Sequence, residues 1–159
     1  MSKLIKTEVI KSAIKHLESE IKSLEETSLR EHEHLKEAPG AMQSHSDTTR
    51  SQKEALLFGY SKKIQRKKQS INALQSIGLH DSTTIKIGSL VEVYEDDHND
   101  YYFIIPGVSG EKYIINNIVI LAISPESAIA RALIDLEEGD LARVEVPSGI
   151  REMEIISIE

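Results

Sequence analysis

The sequence predicts an α+β fold: an N-terminal antiparallel coiled-coil helical hairpin, then a small antiparallel β domain that contains one helix. Three observations support this. An apolar seam of heptad spacing runs through the first half and reverses once. At Ser89 the pattern changes to short strand-like runs bounded by turn residues. A single amphipathic stretch sits among those runs. The hairpin is assigned to residues 1–80 and the β domain to residues 84–159.

The seam of the first helix reads Ile10, Ile14, Leu17, Ile21 and Leu24. Its continuation places Ser28 and Glu31 where the partner helix should be met, and apolar contact resumes only at Leu35, so the stem should loosen toward its tip. Pro39 disfavours helical geometry at Ala38 and Gly40 permits a turn, which ends the helix. Asp47 or Thr48 is expected to cap the returning helix. The returning seam is Leu57, Tyr60, Ile64, Ile71 and Leu74, with Lys67 at the one polar position and Gly78 closing the element. Two helices of about 30 residues make an arm roughly 45 Å long.

The strand-like runs fall at residues 90–95, 101–106, 118–123, 141–146 and 151–158. Turn chemistry lies between them at 96–100, 106–110, 138–140 and 147–149. Residues 124–127 read as a helix start, and the helix should turn Ile129, Leu133 and Ala132 inward.

Composition narrows the chemistry. Cysteine is absent, which removes disulfides, thiolate metal sites and thiol nucleophiles. No apolar run approaches the roughly 20 residues of a membrane span, and the amphipathic start does not read as a secretory signal, so the expected location is cytoplasmic. The net charge of −7 is uneven. Residues 1–80 hold 14 Lys+Arg against 10 Asp+Glu (+4), and residues 81–159 hold 5 against 16 (−11). An acidic second half is a poor clamp for duplex DNA and suits a basic protein surface.

Two clusters invite functional readings. Lys62, Lys63, Arg66, Lys67 and Lys68 crowd one stretch of the second helix; they can pair with Glu18, Glu20, Glu25 and Glu26 opposite, or meet nucleic-acid phosphate. Five cations in so short a stretch wrap the helix and cannot all face one partner. His32, His34, His45 and Asp47 gather near the tip in sequence. Residues two apart on a helix point to different sides, so a metal site of the protein's own is not expected there.

The stretch SPESAIARALIDLEEGDLARVEVPSGIREMEIISI, residues 124–158, resembles the C-terminal FKBP-like domain of the bacterial Gre transcript-cleavage factors (GreA/GreB type). The matches fall on Ser124, Pro125, Arg131, Ala132, Leu133, Gly139, Asp140, Gly149, Arg151 and Glu152, and residues 88–93 look like the first strand of that domain. The family also places a coiled-coil hairpin first. The resemblance therefore implies an FKBP-like domain that docks on RNA polymerase through the region of Ser124, Pro125, Arg131, Gly139, Asp140 and Arg151. It further implies a hairpin that enters the secondary channel and reaches toward nascent RNA.

In cleavage-competent relatives, an Asp and a Glu three residues later help hold a catalytic Mg²⁺ of the polymerase. Aligned without a gap from Gly40, those positions fall on Ala41 and Ser44, neither of which binds magnesium tightly. Asp47 is the one carboxylate between Glu37 and Glu54. It reads either as a helix cap contributing about 1 kcal/mol or as a tip residue beside Ser44, His45 and Ser46 near the polymerase magnesium. The expectation is a monomeric regulator with no cofactor of its own and no enzymatic activity of its own, modulating the polymerase without stimulating cleavage. The alternatives are a cleavage factor using Asp47, a coiled-coil adaptor, and a prolyl isomerase, whose aromatic pocket would have to come from Tyr94, Tyr101, Tyr102, Phe103 and Tyr113.

Overall fold

A computed structural model describes residues 3–37, 44–79 and 82–159, without the side chains of residues 3, 4, 37 and 44–47. Two long helices, α1 (Lys3–Glu37) and α2 (Ser44–Gln75), precede six strands and one short helix: β1 (Leu90–Glu95), β2 (His98–Ile104), β3 (Lys112–Ile115), β4 (Ile118–Ile123), α3 (Ala128–Leu133), β5 (Leu141–Val146) and β6 (Gly149–Ile158). The expected hairpin turn at Ala38, Pro39, Gly40 and Ala41 lies outside the described residues. The chain divides into two compact units, Met1–Ile14 with Asn72–Glu159, and Lys15–Ile71. The feet of both long helices thus belong with the β domain.

The sheet runs β3-β4-β2-β1-β6-β5. Every neighbouring pair is antiparallel except β2 and β4, which run parallel, with Tyr101 opposite Ile120 and Ile104 opposite Ile123. The strand β3 has no counterpart in the sequence reading, and β2 begins three residues earlier than expected. Both differences have one cause. Asp96 and Asp97 (φ 48° and 65°) and Asn116 and Asn117 (φ 51° and 65°) form two-residue hairpin turns in the left-handed region, so the polar stretches shrink to tight reversals. Asn117→Ala is expected to cost about 1 kcal/mol, because an alanine Cβ is strained at that φ, whereas Asn117→Gly leaves stability unchanged or raises it. Urea unfolding of the two variants checks this.

One face of the sheet packs Val91, Val93, Tyr102, Ile104, Met153 and Ile155 against Ala130 and Leu133 of α3. Ala130 is the inward residue the sequence reading missed, while Ile129 and Ala132 are only partly buried. Ser127 caps α3, its Oγ accepting from the Ala130 N–H at 3.1 Å. The opposite face is also closed at its β4 side, where Leu90, Phe103, Ile120 and Ala122 are fully buried. Ile5, Val9, Ala13 and Leu74, from the helix feet of the same unit, are buried too. Gly88 (φ 95°) lies so near Ile77 that an added Cβ would meet its side chain at 3.2 Å.

Candidate functional site

Within the Lys15–Ile71 unit the two helices run antiparallel: Glu20 meets Lys67 at one level, and farther along His32, Leu35 and Lys36 share a groove of about 380 Å³ with Arg50, Glu54 and Leu57. Leu17 and Ile21 are the last buried apolar side chains of α1. Beyond them Leu24, Ser28, Glu31 and Leu35 are only half-buried, as are Leu57, Tyr60 and Ile64 on α2. Among the described residues the apolar seam is therefore thin toward the tip.

The basic run separates into two groups. Lys67 sits at the seam and donates to Glu20 at 2.7 Å, and Lys68 lies 3.7 Å from Glu25, so these two answer acids of α1. Lys62 stands 4.7 Å from the centroid of the Phe58 ring, itself 62% exposed. Lys63 and Arg66 are exposed, and no carboxylate lies within ion-pair distance of Lys62, Lys63 or Arg66 among the described residues. An exposed aromatic ring beside Lys62, with two further cations on the same helix, can stack a base and attract a phosphate. Composition alone hid this, because it cannot show which lysines are already neutralised.

At the tip, α2 begins at Ser44, so Ser44, His45, Ser46 and Asp47 form the first turn of the helix. The expected cap at Asp47 or Thr48 is thereby corrected: both lie inside the helix, three and four residues past its start. The side chains of Ser44 to Asp47 are outside the described set. No group of three His, Asp or Glu side chains able to hold a metal ion occurs among the described residues.

In the β domain, the motif residues hold the architecture. Gly139 takes φ 88°, and Asp140 Oδ2 accepts from the Glu137 N–H at 2.8 Å. Ser124 offers its carbonyl to the Ser127 N–H at 3.0 Å, Pro125 is half-buried ahead of α3, and Arg131 is exposed in the last turn of that helix. Arg151 grips Glu95 with two hydrogen bonds, the Nε one at 2.9 Å. Those bonds hold the Glu95 carboxyl below the ordinary carboxylate range, against the opposing effect of burial. Nothing in the spacing of residues 95 and 151 announces this pair; it needs β1 and β6 to be neighbours.

A second polar cluster was equally invisible. Glu92 accepts from Asn99 at 2.7 Å, Tyr101 at 2.9 Å and Ser157 at 3.0 Å. Burial pushes its carboxyl up, but these donors outweigh it and the net displacement is downward. Each acceptor is engaged, so the cluster is a brace between β1, β2 and β6. Tyr101 and Tyr102 alternate across the sheet, so Tyr102 is buried on the face opposite Phe103, whereas Tyr94, Tyr101, Phe103 and Tyr113 share one face by strand register. A cavity of about 360 Å³ in the same unit is lined by Lys6, Ser76, Ser82, Lys86 and Ser89 among others, with no aromatic side chain.

The six-stranded sheet with one packed helix, which holds the motif residues in turns and braces, is the part of the chain that matches the transcription elongation factor class. The family model described as transcription elongation factor, GreA/GreB, C-term, matches residues 80–159, and the chain belongs to that family. It is 39% identical over 75 residues to the transcription elongation factor GreA of Thermoanaerobacter pseudethanolicus, a stretch covering 46% of this chain and 45% of the relative. It is 58% identical over 36 residues to GreA of Methylococcus capsulatus, 23% of each chain. The matched stretches thus span less than half the length of these relatives. Among solved structures, the GreA factor homolog 1 (Gfh1) protein of Thermus thermophilus aligns over 94% of both chains with 19% identity and a TM-score of 0.38. No described helix is long and apolar enough to cross a membrane.

Proposed function

We propose that this protein is a cytoplasmic regulator of transcription elongation that binds RNA polymerase through its β domain, places its hairpin in the secondary channel, and modulates the polymerase without stimulating transcript cleavage. The observation that supports this most is the family match over residues 80–159 combined with a tip whose one carboxylate is Asp47. A lone acid is a weaker ligand for Mg²⁺ than a pair, and any metal chemistry here belongs to the polymerase. The protein acts as a monomer without catalytic groups of its own. Phe58, Lys62, Lys63 and Arg66 would meet nascent RNA inside the channel.

The full chain is expected to copurify with core RNA polymerase and to slow initiation or elongation without shortening the RNA. Failure to bind polymerase defeats the reading. Lys62→Glu with Lys63→Glu and Arg66→Glu is expected to weaken crosslinking to nascent RNA about tenfold while leaving polymerase copurification intact. Equal RNA crosslinking by that variant removes the stripe from the site. A prolyl isomerase is disfavoured by a cavity of about 360 Å³ without an aromatic side chain, and exchange of a proline test peptide at the uncatalysed rate is the expected result.

A further inference from the structure

We propose that Lys67, through Glu20, sets the register of the two helices in the stem as the ion pair at the seam itself, ahead of the thinly packed distal half. Lys68 and Glu25, 3.7 Å apart, are both more exposed than this pair. Lys67 is the one charged residue at the seam positions of α2, and its side chain is 24% exposed, bonded to Glu20 at 2.7 Å. The other oxygen of Glu20 lies 3.7 Å from His16 Nε2, one helical turn away on α1, so the hydrogen bond that fixes the carboxylate is the one across the stem. Below the pair, Leu17 and Ile21 fix the alignment by burial. Beyond it the seam residues are half-buried and a groove of about 380 Å³ opens between the helices.

Packing alone cannot choose one offset there. Leucine-like side chains along a half-buried stripe satisfy several offsets and rotations nearly equally, whereas a charge-assisted bond satisfies one. A partly buried charge at a seam costs stability relative to an apolar residue and is retained where it specifies pairing. The device is independent of what the arm binds, but it decides which residues stand at the end of the arm.

The chain has no cysteine, so spin labels can be placed on Glu33→Cys and Ser51→Cys, both exposed and both beyond the pair. Distances between them are read by pulsed electron paramagnetic resonance in the full chain. The parent protein is expected to give one narrow distribution. Lys67→Leu is expected to add a second population and to raise the melting temperature by a few degrees, and Lys67→Arg to restore the single distribution. Glu20→Met with Lys67→Met provides the same test if Lys67→Leu alone fails to fold. A single narrow distribution in these apolar variants, or a broad one in the parent, overturns the proposal.

Discussion

Arg151→Met is expected to destabilise the β domain by about 3 kcal/mol near neutral pH, the largest single effect among these residues. The reason lies less in the bonds lost than in what is left behind. The Glu95 side chain is only 6% exposed, and without the guanidinium its carboxylate would remain buried without its hydrogen-bonded partner, His98 being the other nearby group that favours its charge. Arg151→Lys should recover part of the loss, since an ammonium cannot form the two-pronged contact. Glu95→Met with Arg151→Met should recover most of it, because a buried pair replaced by apolar groups is often neutral or stabilising. Urea unfolding of the full chain measures all of these.

The pH dependence has a definite sign. In the parent, Glu95 titrates below its ordinary value of 4.5, so its contribution is present above that value and is lost as the pH falls through the lowered one. Glu92 acts in the same direction. In Arg151→Met, burial without the guanidinium raises the Glu95 carboxyl, so protonation relieves the strain and the deficit against the parent shrinks as the pH falls. A deficit that is constant from neutral pH to about pH 4 would show that the pair contributes packing alone.

If the proposed function holds, installing carboxylates at Ala41 and Ser44 should have the largest functional effect. Ala41→Asp with Ser44→Glu is expected to confer transcript cleavage in backtracked complexes at least about tenfold faster than with the parent, equivalent to ~1.4 kcal/mol of barrier. Two acids can share a hard cation and orient water where one cannot. The same variant should bind polymerase as the parent does, since the β domain proposed to dock is untouched. If the parent already shortens transcripts and Asp47→Ala abolishes this, the modulator reading fails and Asp47 is the cleavage residue.

Much of this molecule was legible in residue order because its signals are local. The helices α1 and α2, the strands β1, β4, β5 and β6, and α3 follow from periodicity and turn residues, which act within a few positions. The buried line at the start of α1 runs through Val9 and Ala13, while the expected seam residues Ile10 and Ile14 are half-buried. The match of Gly139, Asp140 and Gly149 to turns is of the same kind, since positive φ at those glycines is a local demand. The differences are local too: Asp96, Asp97, Asn116 and Asn117 adopt left-handed backbone in tight two-residue turns, so β2 starts within the expected turn at 96–100 and β3 forms where the sequence predicts no element.

The sequence by itself determined the fold class and the reversal of charge between the halves, because composition and spacing carry these without reference to neighbours in space. Only the tertiary structure decided which charges are spent and which are available. Lys67 and Lys68 are answered by Glu20 and Glu25, Lys62 leans on Phe58, and Arg151 closes on Glu95 from the adjacent strand. Electrostatic energy depends on separation and on access of water, and neither is a property of position along a chain.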